Sequence, residues 1–452
     1  MTTAPVPHPR PHVVVAGAGF GGLAAVRRLA KVPVDVTLID RDNYHGFWPL
    51  LYQVATAGLG PDDIARPVRA VLSDQSNATF RMGTVTGVDL EGRTVHLDPG
   101  QGRPPVNISY DYLIIATGST DNFFGIPGVA EHTFSMKTLP ESVRLRNHVL
   151  TTFERADEDP SLVGSGALTT VLIGGGATGV ELAGALSELV GNNLAVDFPH
   201  LQMSEARVIL VEMADTLLGS FSKGSRKEAE RTLRAKGVEL RLNTKVAEVG
   251  PGKVTLEDGE VIEAGTIVWT AGVRASDVAN DISGEKGRGG AIKVQPDLTV
   301  AGHPEVFAIG DIAAAGGKTG HIRRNKPKKK AEPLPGVAQV AIQGGKHAGS
   351  TIARRLAGKS SKPFRYHDHG AMATIGRRAA VAEIPGGLRF GGTLGWLSWL
   401  IIHLFFLIGF RNRLVVIANW SWNYLTWDRA NRVILSDGDF DTQVGHIGKR
   451  IT

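Results

Sequence analysis

Two glycine-rich loops, each set between a short apolar run and a stretch of helical spacing, constrain this fold more than any other feature. The first loop carries glycines at 17, 19 and 22 and follows the β-branched run 13–15. In this context the GxGxxG spacing permits a tight turn and brings backbone N–H groups, at the positive end of a helix, against a pyrophosphate. The next strand, 36–39, ends in an acid that can accept hydrogen bonds from ribose hydroxyls. The predicted first dinucleotide site comprises Gly17, Gly19, Phe20, Gly21, Gly22 and Asp40.

The same pattern returns after the apolar run 170–173, with glycines at 174, 176 and 179. The strand that follows, 207–211, ends in Glu212, which lies further from its loop than is usual, so residues 191–204 must form an insertion. A carboxylate here repels a 2′-phosphate, which favours NADH over NADPH. The predicted second dinucleotide site comprises Gly174, Gly176, Thr178, Gly179, Glu181, Glu212, Ala271 and Gly272.

Two Rossmann-type folds in one chain predict an α/β protein in which one fold holds a flavin and the other delivers hydride to it. Two further apolar runs fit this arrangement. Run 111–115 leads into an Ala-Thr-Gly turn, and run 306–309 leads into a Gly-Asp turn. Each of them alone is equally typical of an ordinary buried strand followed by a turn.

The amino-acid composition excludes several kinds of redox centre. The chain has no cysteine, which excludes iron–sulfur clusters, zinc–thiolate sites, redox-active disulfides and persulfides. Electrons must therefore pass through a bound organic cofactor. The net charge of +6 leaves nucleic acid, an anionic membrane or a solvated surface open as explanations. Residues 1–12 lack the apolar stretch of a secretory signal, so we expect the protein on the cytoplasmic side.

Together these segments resemble the two-dinucleotide flavoprotein oxidoreductases of the glutathione reductase type. The resemblance implies non-covalent FAD in the first fold, a nicotinamide cofactor in the second, and a NADH domain inserted within the FAD domain. It also implies that the aspartate of the Gly-Asp turn binds the ribitol or phosphate region of FAD. The lack of cysteine removes the disulfide reductases and the sulfide:quinone branch. The further FAD-site residues that the resemblance implies are Gln53, Ala116, Thr117, Gly118 and Asp311.

Three segments resemble the type II NADH dehydrogenases in particular, and the third of them is the apolar C-terminal region. Residues 47–56, FWPLLYQVAT, are similar to the stretch that runs beside the flavin in those enzymes, and residues 336–345 are similar to their AQxxxQ quinone-site motif. Gln339 and Gln343 lie four apart, so on a helix they share a face and could hydrogen-bond a quinone carbonyl. The resemblance implies catalytic roles for both glutamines. It also places Glu181 towards the NADH–flavin region, to steer the nicotinamide or relay protons.

The C-terminal region carries an uncharged apolar run, 394–410, flanked by Arg389, Arg411 and Arg413. Five of the seven tryptophans lie in this region, at 396, 399, 420, 422 and 427. Tryptophan favours the headgroup layer, so we predict amphipathic helices that lie in one leaflet with arginines on lipid phosphates. A buried core or dimer helix is the alternative reading of the same run.

The sequence therefore predicts four segments: a FAD-binding part at 1–134, an NADH-binding domain at 135–290, a second FAD-binding part with the quinone-site helix at 291–360, and a membrane-association domain at 361–452. The predicted enzyme passes hydride from NADH to FAD and then two electrons to a membrane quinone, without proton pumping. We expect a homodimer, bound peripherally to the cytoplasmic face of the cell membrane, with lipid and quinone as partners and no nucleic acid.

Other readings remain open at this point. A soluble NADH oxidase or a ferredoxin or rubredoxin reductase would share the two nucleotide folds but would not need the apolar tail. A flavin-bound redox sensor would use NADH to switch an interaction surface. The basic run 321–330 is interpreted as a solvated loop. Residues 367–369, His-Asp-His, are also read as a surface loop, and no metal site is predicted.

Overall fold

The computed structural model describes residues 10–317, 332–426, 428–429 and 431–435. Contacts within the chain group these residues into two compact units. The first unit takes its described residues from 1–46, 65–122 and 273–369, and the second takes its described residues from 47–64, 123–272 and 370–452. The basic run 321–330 and Trp427 lie outside the described residues.

The first unit is built on a six-stranded sheet whose central strands are parallel. The central strand, His12–Ala16, is buried along its whole length, as expected for a parallel sheet covered on both faces. The edge pair is antiparallel. In sheet order the strands are Thr299–Val300, His303–Ala308, Tyr112–Ile115, His12–Ala16, Asp35–Asp40 and Ala78–Met82.

Smaller elements complete the first unit. A three-stranded antiparallel sheet consists of Thr84–Asp89, Thr94–Asp98 and Val106–Ser109, and its apolar faces join the core under the main sheet. Four two-stranded pairs are Ser119–Asp121 with Val273–Ala275, Ile292–Lys293 with Ala313–Ala314, Tyr44–Gly46 with Ala65–Pro67, and Gly316–Gly317 with Glu332–Pro333. The helices are Phe20–Arg28, Val68–Val71 and Ala338–Leu356, with 3-10 turns at Asp277–Asp281, Arg288–Gly290 and Gly310–Ile312.

The helix Phe20–Arg28 packs closely on the helix Ala338–Leu356. The close approach depends on glycine, because a Cβ on Gly345 would lie 2.0 Å from the carbonyl oxygen of Gly21. The helix that bears the AQxxxQ motif is therefore fixed against the first glycine loop.

The second unit is built on a four-stranded parallel sheet with the order Glu239–Arg241, Val208–Val211, Thr170–Ile173 and Thr266–Trp269. Its apolar strands pack on a three-stranded antiparallel sheet made of Val246–Gly250, Lys253–Leu256 and Val261–Glu263. Its helices include Val129–His132, Leu139–Glu158, Ser161–Gly164, Ala177–Glu188 and Lys223–Ala235.

The predicted insertion before Glu212 is present and well defined. The nucleotide helix Ala177–Glu188 runs on into a π-helical turn, Leu189–Leu194, and a short helix, Ala195–Asp197. A 3-10 turn, Met203–Glu205, then leads into the next strand. This longer connection does not change the order of the strands in the sheet. It leaves the C-terminal end of the nucleotide helix and returns to the start of the strand Val208–Val211.

The rest of the second unit consists of segments that precede and follow the second nucleotide fold in the sequence. Residues 47–64 form a 3-10 turn, Trp48–Leu50, and two short helices, Leu51–Ala55 and Pro61–Ile64. Residues from 370 onward form a three-stranded antiparallel sheet, Ala371–Gly376, Ala379–Ile384 and Leu388–Phe390, followed by the tail helices Gly392–Phe406 and Phe410–Thr426. The tail packs directly on the nucleotide helix, since a Cβ on Gly184 would lie 2.2 Å from the carbonyl oxygen of Ile375.

The predicted fold class is confirmed: the chain is α/β with two Rossmann-type folds, and the second is inserted between segments of the first. The four-segment division of the sequence remains a prediction. The contact units group its pieces differently, because residues 47–64 and 370 onward pack with the second nucleotide fold.

Each tail helix exposes one apolar stripe. On the first tail helix it contains Leu394, Leu397, Ile401 and Phe405, and on the second it contains Phe410, Leu414, Ile417 and Leu425. The opposite side is packed: Trp399 is only 1% exposed and Trp420 only 5%. Within the described part of the chain, no helix has the length and apolarity needed to cross a bilayer.

Candidate active site

The first glycine loop has the geometry of a phosphate cradle. Gly17 has a φ of +108°, and a Cβ there would lie 2.3 Å from the carbonyl oxygen of Ala116. A Cβ on Gly22 would lie 1.8 Å from the oxygen of Gly17, so neither position tolerates a side chain. By contrast, a Cβ on Gly19, at the N-cap of the helix, would meet nothing within 4 Å. The space that a pyrophosphate needs lies there.

Asp40 closes this loop. One carboxylate oxygen accepts the N–H of Ala18 at 2.6 Å, and the other accepts the N–H of Asp42 at 2.9 Å. Burial raises the pKa of Asp40, and these two hydrogen bonds act in the opposite direction. The predicted acid thus does lie beside the loop, and part of its hydrogen-bonding capacity holds the loop itself in shape.

The Ala-Thr-Gly and Gly-Asp turns meet in the same unit. Thr117 Oγ1 lies 2.6 Å from Ser276 Oγ, and Gly118 has a φ of +71°. Asp311 accepts the hydroxyl of Ser119 at 3.0 Å. The two serines were not predicted, because they gain a role only when distant segments pair across the strands 119–121 and 273–275.

His45 is another first-unit residue that sequence reasoning missed. Its Nδ1 lies 2.8 Å from the carbonyl oxygen of Ala18, in the glycine loop, and its ring meets Phe20 edge-on. Burial lowers the pKa of His45 to about 4, so the ring is neutral and Nδ1 is the donor to Ala18. This histidine is therefore a second side chain, besides Asp40, that hydrogen-bonds the backbone of Ala18.

The second glycine loop repeats the arrangement. Gly174 has a φ of +117°, and a Cβ there would lie 2.5 Å from Ala271 Cα. A Cβ on Gly179 would lie 1.9 Å from the oxygen of Gly174, whereas one on Gly176 would meet nothing within 4 Å. Thr178 is exposed at the mouth of this loop, and Gly272 follows Ala271 directly.

Glu212 occupies the position that corresponds to Asp40. Its carboxylate accepts the N–H of Gly175 at 2.5 Å and the N–H of Ala214 at 2.7 Å. The insertion before this strand therefore does not displace the acid from its loop. Thr270 adds a support that was not predicted, donating to the carbonyl oxygens of Ile173 and Gly174 at 3.0 Å.

Glu181 lies on the nucleotide helix that follows this loop, and its side chain is partly buried. Its Oε1 accepts the N–H of Thr374 at 3.3 Å. Burial raises the pKa of Glu181 to about 8, against smaller lowering effects of Thr374 and of the Trp399 indole. The indole N–H approaches the carboxyl but has no partner at regular hydrogen-bond geometry among the described residues. At neutral pH the Glu181 carboxyl is therefore mostly protonated.

Gln53 lies in a buried chain of hydrogen bonds. Its Oε1 accepts the indole N–H of Trp420 at 2.8 Å, and its Nε2 donates to Tyr52 Oη at 2.8 Å. Trp420 was predicted only as an interfacial tryptophan. Its link to Gln53 could not be found from the sequence because the two residues are 367 positions apart.

The two glutamines of the AQxxxQ motif lie on the helix Ala338–Leu356, four residues apart as predicted. Gln343 forms a reciprocal pair with the backbone of His367: its Nε2 donates to the carbonyl oxygen at 2.8 Å, and its Oε1 accepts the N–H at 2.9 Å. Gln339 is partly exposed. Gln343 is exposed to a similar extent, but its amide holds the 367–369 loop, whereas the Gln339 amide makes no hydrogen bond with the described residues.

Arg413 has backbone partners that the sequence did not predict, and its expected contact with lipid phosphate stays a prediction. Its guanidinium donates to the carbonyl oxygens of Leu407 and Phe405 at 2.8 and 2.9 Å, respectively, and so caps the end of the first tail helix. Arg411, on the second tail helix, is exposed.

Comparison with known proteins agrees with this geometry. The sequence profile of the pyridine nucleotide-disulphide oxidoreductases matches residues 11–345, and that of the NDH2 C-terminal domain matches residues 368–427. The type II NADH:quinone oxidoreductase Ndh of Mycobacterium tuberculosis is 38% identical over 96% of this chain and 92% of its own length. The Staphylococcus aureus type II NADH:quinone oxidoreductase is 30% identical over 83% of this chain and 90% of its own length.

Solved structures share the fold. NDH2 from Plasmodium falciparum in complex with NADH superposes with a TM-score of 0.83 at 18% identity, covering 94% of this chain and 100% of that one. The sulfide:quinone oxidoreductase of Aquifex aeolicus gives 0.68 at 19% identity, covering 96% of this chain and 94% of that one. The profile match and the two bacterial relatives show that the chain belongs to the pyridine nucleotide-disulphide oxidoreductase family and, within it, to the type II NADH:quinone oxidoreductases.

Proposed function

We propose that this chain oxidises NADH through non-covalently bound FAD and passes two electrons to a membrane quinone, without pumping protons. The observation that carries the proposal is the duplicated cradle: two glycine loops, each with an open N-cap and each held by a carboxylate, occur in one chain without cysteine. FAD, when bound, supplies the isoalloxazine ring that takes hydride from NADH and releases two electrons to the quinone.

The first unit fits FAD. Its open cap at Gly19 can take the pyrophosphate on backbone N–H groups, and Asp40 lies where it can accept ribose hydroxyls. Asp311, beside Ser119, lies near the Thr117 and Gly118 turn. By resemblance these residues would hold the ribitol or phosphate region. The remaining predicted contacts, including Gln53, stay part of the same proposal.

The second unit fits NADH. Gly176 leaves room for the pyrophosphate, and Glu212 leaves a carboxylate where a 2′-phosphate would sit. NADH is therefore the expected donor, rather than NADPH.

Glu181 is proposed to supply a proton. The overall reaction, NADH plus quinone plus H⁺ giving NAD⁺ plus quinol, takes one proton from solvent in each turnover. A carboxyl whose pKa is raised to about 8 carries that proton at neutral pH, whereas an ordinary glutamate does not. Gln339 is proposed to hydrogen-bond a quinone carbonyl, with Gln343 fixing the neighbouring backbone.

The exposed apolar stripes of the tail helices are proposed to enter one leaflet on the cytoplasmic face, so that quinone reaches the enzyme from the bilayer. We also propose that the protein is a homodimer. The soluble oxidase and ferredoxin reductase alternatives do not account for eight large apolar side chains exposed in two regular stripes.

One set of steady-state measurements tests the proposal. Purified protein should be yellow and release FAD on denaturation, and it should oxidise NADH at least about tenfold faster than NADPH, by the charge argument above. A short-chain quinone should sustain turnover better than oxygen. Faster turnover with oxygen would favour the oxidase reading. Proteoliposomes that build a membrane potential during NADH oxidation would contradict the absence of pumping.

A further inference from the structure

A small cavity lies in the second unit, next to Thr374, the residue whose N–H donates to Glu181. Its volume is about 50 Å³, and its lining includes Tyr52, Thr56, Glu188, Thr374, Tyr424 and Arg429. A cavity of this size holds roughly one to three water molecules, and the hydroxyl, carboxylate and guanidinium groups around it supply the partners that water needs.

The direction of the Tyr52 hydroxyl follows from the hydrogen bonds around it. An indole N–H can only donate, so the Gln53 atom that meets Trp420 must be the amide oxygen. The Gln53 amide nitrogen is then the donor to Tyr52 Oη. The hydroxyl hydrogen of Tyr52 must point away from Gln53, and none of the described residues accepts it in a hydrogen bond. It is available to a water molecule in the cavity that Tyr52 lines.

Tyr52 and Thr374 connect the cavity to Glu181. Thr374 lines the cavity, and its N–H donates to the Glu181 carboxyl. Tyr52 packs edge-on against Trp399 at 6.2 Å, and the Trp399 indole approaches the same carboxyl. Burial, followed by the charge of Glu181, raises the pKa of Tyr52 well above its usual value. Tyr52 therefore keeps its proton at neutral pH, and the charge of Glu181 contributes to this effect.

The far side of the cavity is charged and partly open. Glu188 accepts from Lys236 at 2.7 Å, from Arg429 at 3.3 Å and from the N–H of Arg377 at 2.6 Å. Lys236 is 20% exposed, so this cluster reaches solvent. Besides Tyr52, the titratable and charged groups that line the cavity are Glu188, Arg377, Tyr424 and Arg429. Glu181 adjoins it through Thr374, and Lys236 adjoins it through its ion pair with Glu188.

We propose that Tyr52 and the water in this cavity return to Glu181 the one solvent proton that each turnover consumes. When the Glu181 carboxyl has lost its proton, a cavity water replaces it: an O–H bond of that water breaks as an O–H bond forms on Glu181, and the water takes the proton of the Tyr52 hydroxyl that points to it. Tyr52 regains a proton from cavity water, and bulk solvent restores that water past the Glu188 cluster. Trp420 and Gln53 are positioning residues that keep the Tyr52 hydroxyl turned to the cavity. This inference rests on the proposed function, because the proton that the relay supplies is the one taken up when the quinone is reduced.

The substitution Tyr52→Phe tests the relay, because it keeps the ring and its contact with Trp399 but removes the hydroxyl. Rapid mixing separates the two halves of the reaction. Bleaching of the flavin by NADH should stay within about twofold of wild type, whereas recovery of flavin absorbance on mixing with a short-chain quinone should slow at least about tenfold. Because proton supply then limits the second half, its rate ratio between H₂O and D₂O should rise above that of wild type.

Two further variants give this test its controls. Trp420→Phe removes the indole donor and leaves the Gln53 amide free to rotate. It should slow the reoxidation of the flavin by quinone by a smaller factor, about threefold. Tyr110→Phe removes another buried tyrosine hydroxyl, one in the core of the first unit that does not line the cavity. This variant should leave the rates of flavin reduction and flavin reoxidation unchanged, and likewise the ratio of the reoxidation rates in H₂O and D₂O.

The outcomes separate the inference from the function on which it rests. A wild-type enzyme that fails to reduce quinone overturns the proposed function. A wild-type enzyme that reduces quinone, together with a Tyr52→Phe variant of equal rate and equal isotope ratio, overturns the relay alone. Equal slowing of both halves by Tyr52→Phe also overturns it, since a structural defect would act on both.

Discussion

The two nucleotide folds share a loop but differ in the helix that follows it. In both, one glycine allows the turn, one leaves the cap open, and a carboxylate from the next strand holds the loop. The first helix, Phe20–Arg28, has no acidic residue. The second, Ala177–Glu188, carries Glu181 and Glu188, and both are bound by residues from the C-terminal part of the chain.

This difference distinguishes the loops, which are proposed to bind phosphate, from the Glu181 carboxyl, which is proposed to supply a proton. A loop that only cradles phosphate needs backbone N–H groups and space, and both folds provide them. An acid that stays protonated at neutral pH needs burial, which the second helix gains from the strand Ala371–Gly376 and the first tail helix. We therefore propose that the C-terminal region contributes to the reaction chemistry as well as to lipid binding.

The largest expected effects test whether the two loops serve different nucleotides. Gly22→Val should abolish FAD retention, because the new side chain would collide with the oxygen of Gly17. Gly179→Val should retain FAD but raise the KM for NADH by about 100-fold or more, because the matching collision is with Gly174. FAD content and NADH kinetics measure the two effects.

The control for these variants is Gly191→Ala in the exposed π turn, where a Cβ meets nothing within 4 Å. It should leave FAD content and the KM for NADH unchanged. If Gly179→Val lost FAD as completely as Gly22→Val, the assignment of one nucleotide to each loop would be wrong.

The next effect concerns the acids that hold the loops. Glu212→Ser removes the carboxylate that opposes a 2′-phosphate and the hydrogen bond to Gly175. We expect the ratio of kcat/KM for NADH to that for NADPH to fall about 30-fold, since a charge contact of this kind corresponds to roughly 2 kcal/mol. Asp40→Ser, the matching change in the first fold, should weaken FAD retention and leave that ratio unchanged. A change in the ratio from Asp40→Ser alone would reverse the assignment.

A moderate effect is expected at Glu181. The pKa of this carboxyl is raised from 4.5 to about 8, so the proton is present below about pH 8 and is lost as the pH rises through that value. Wild-type quinone reduction should therefore decline above about pH 8. Glu181→Gln should reduce kcat about tenfold at pH 7 and remove this decline, because the amide has no proton to lose. A variant that keeps the alkaline decline would show that another group titrates.

The smallest effect is expected on the exposed face of the tail. Phe405 is 69% exposed, and Phe405→Ser should leave the melting temperature and turnover with a water-soluble quinone unchanged. Binding to anionic lipid vesicles should weaken about threefold to tenfold, as expected for loss of one aromatic side chain from an interfacial helix. Trp399→Ser on the packed face should instead lower the melting temperature. Equal vesicle binding by wild type and Phe405→Ser would count against the lipid role.

The loops and the fold were accessible from sequence because they depend on local chemistry. Gly22 and Gly179 are required by backbone collisions within their own turns, and Gly17 and Gly174 adopt the positive φ that each turn needs. The strands beside them are continuous apolar runs. Glu212 could be predicted as well, although it lies further along the sequence from its loop than is usual, since the residue after a strand that ends beside the loop must lie there.

The residues that surround Glu181 and Gln53 could not be predicted from the sequence. Thr374 lies 193 positions from Glu181, and Trp420 lies 367 positions from Gln53. No periodicity or spacing relates such pairs, because tertiary packing alone brings them together. The fold likewise adds a role to Arg413 that its position beside an apolar run did not predict, since its guanidinium caps a helix end.

An anaerobic titration of the purified protein tests the central claim most directly. One equivalent of NADH should bleach the flavin absorbance, and one equivalent of a short-chain quinone should restore it, through many cycles. A colourless protein, or a flavin that NADH bleaches but quinone cannot restore, would contradict the account.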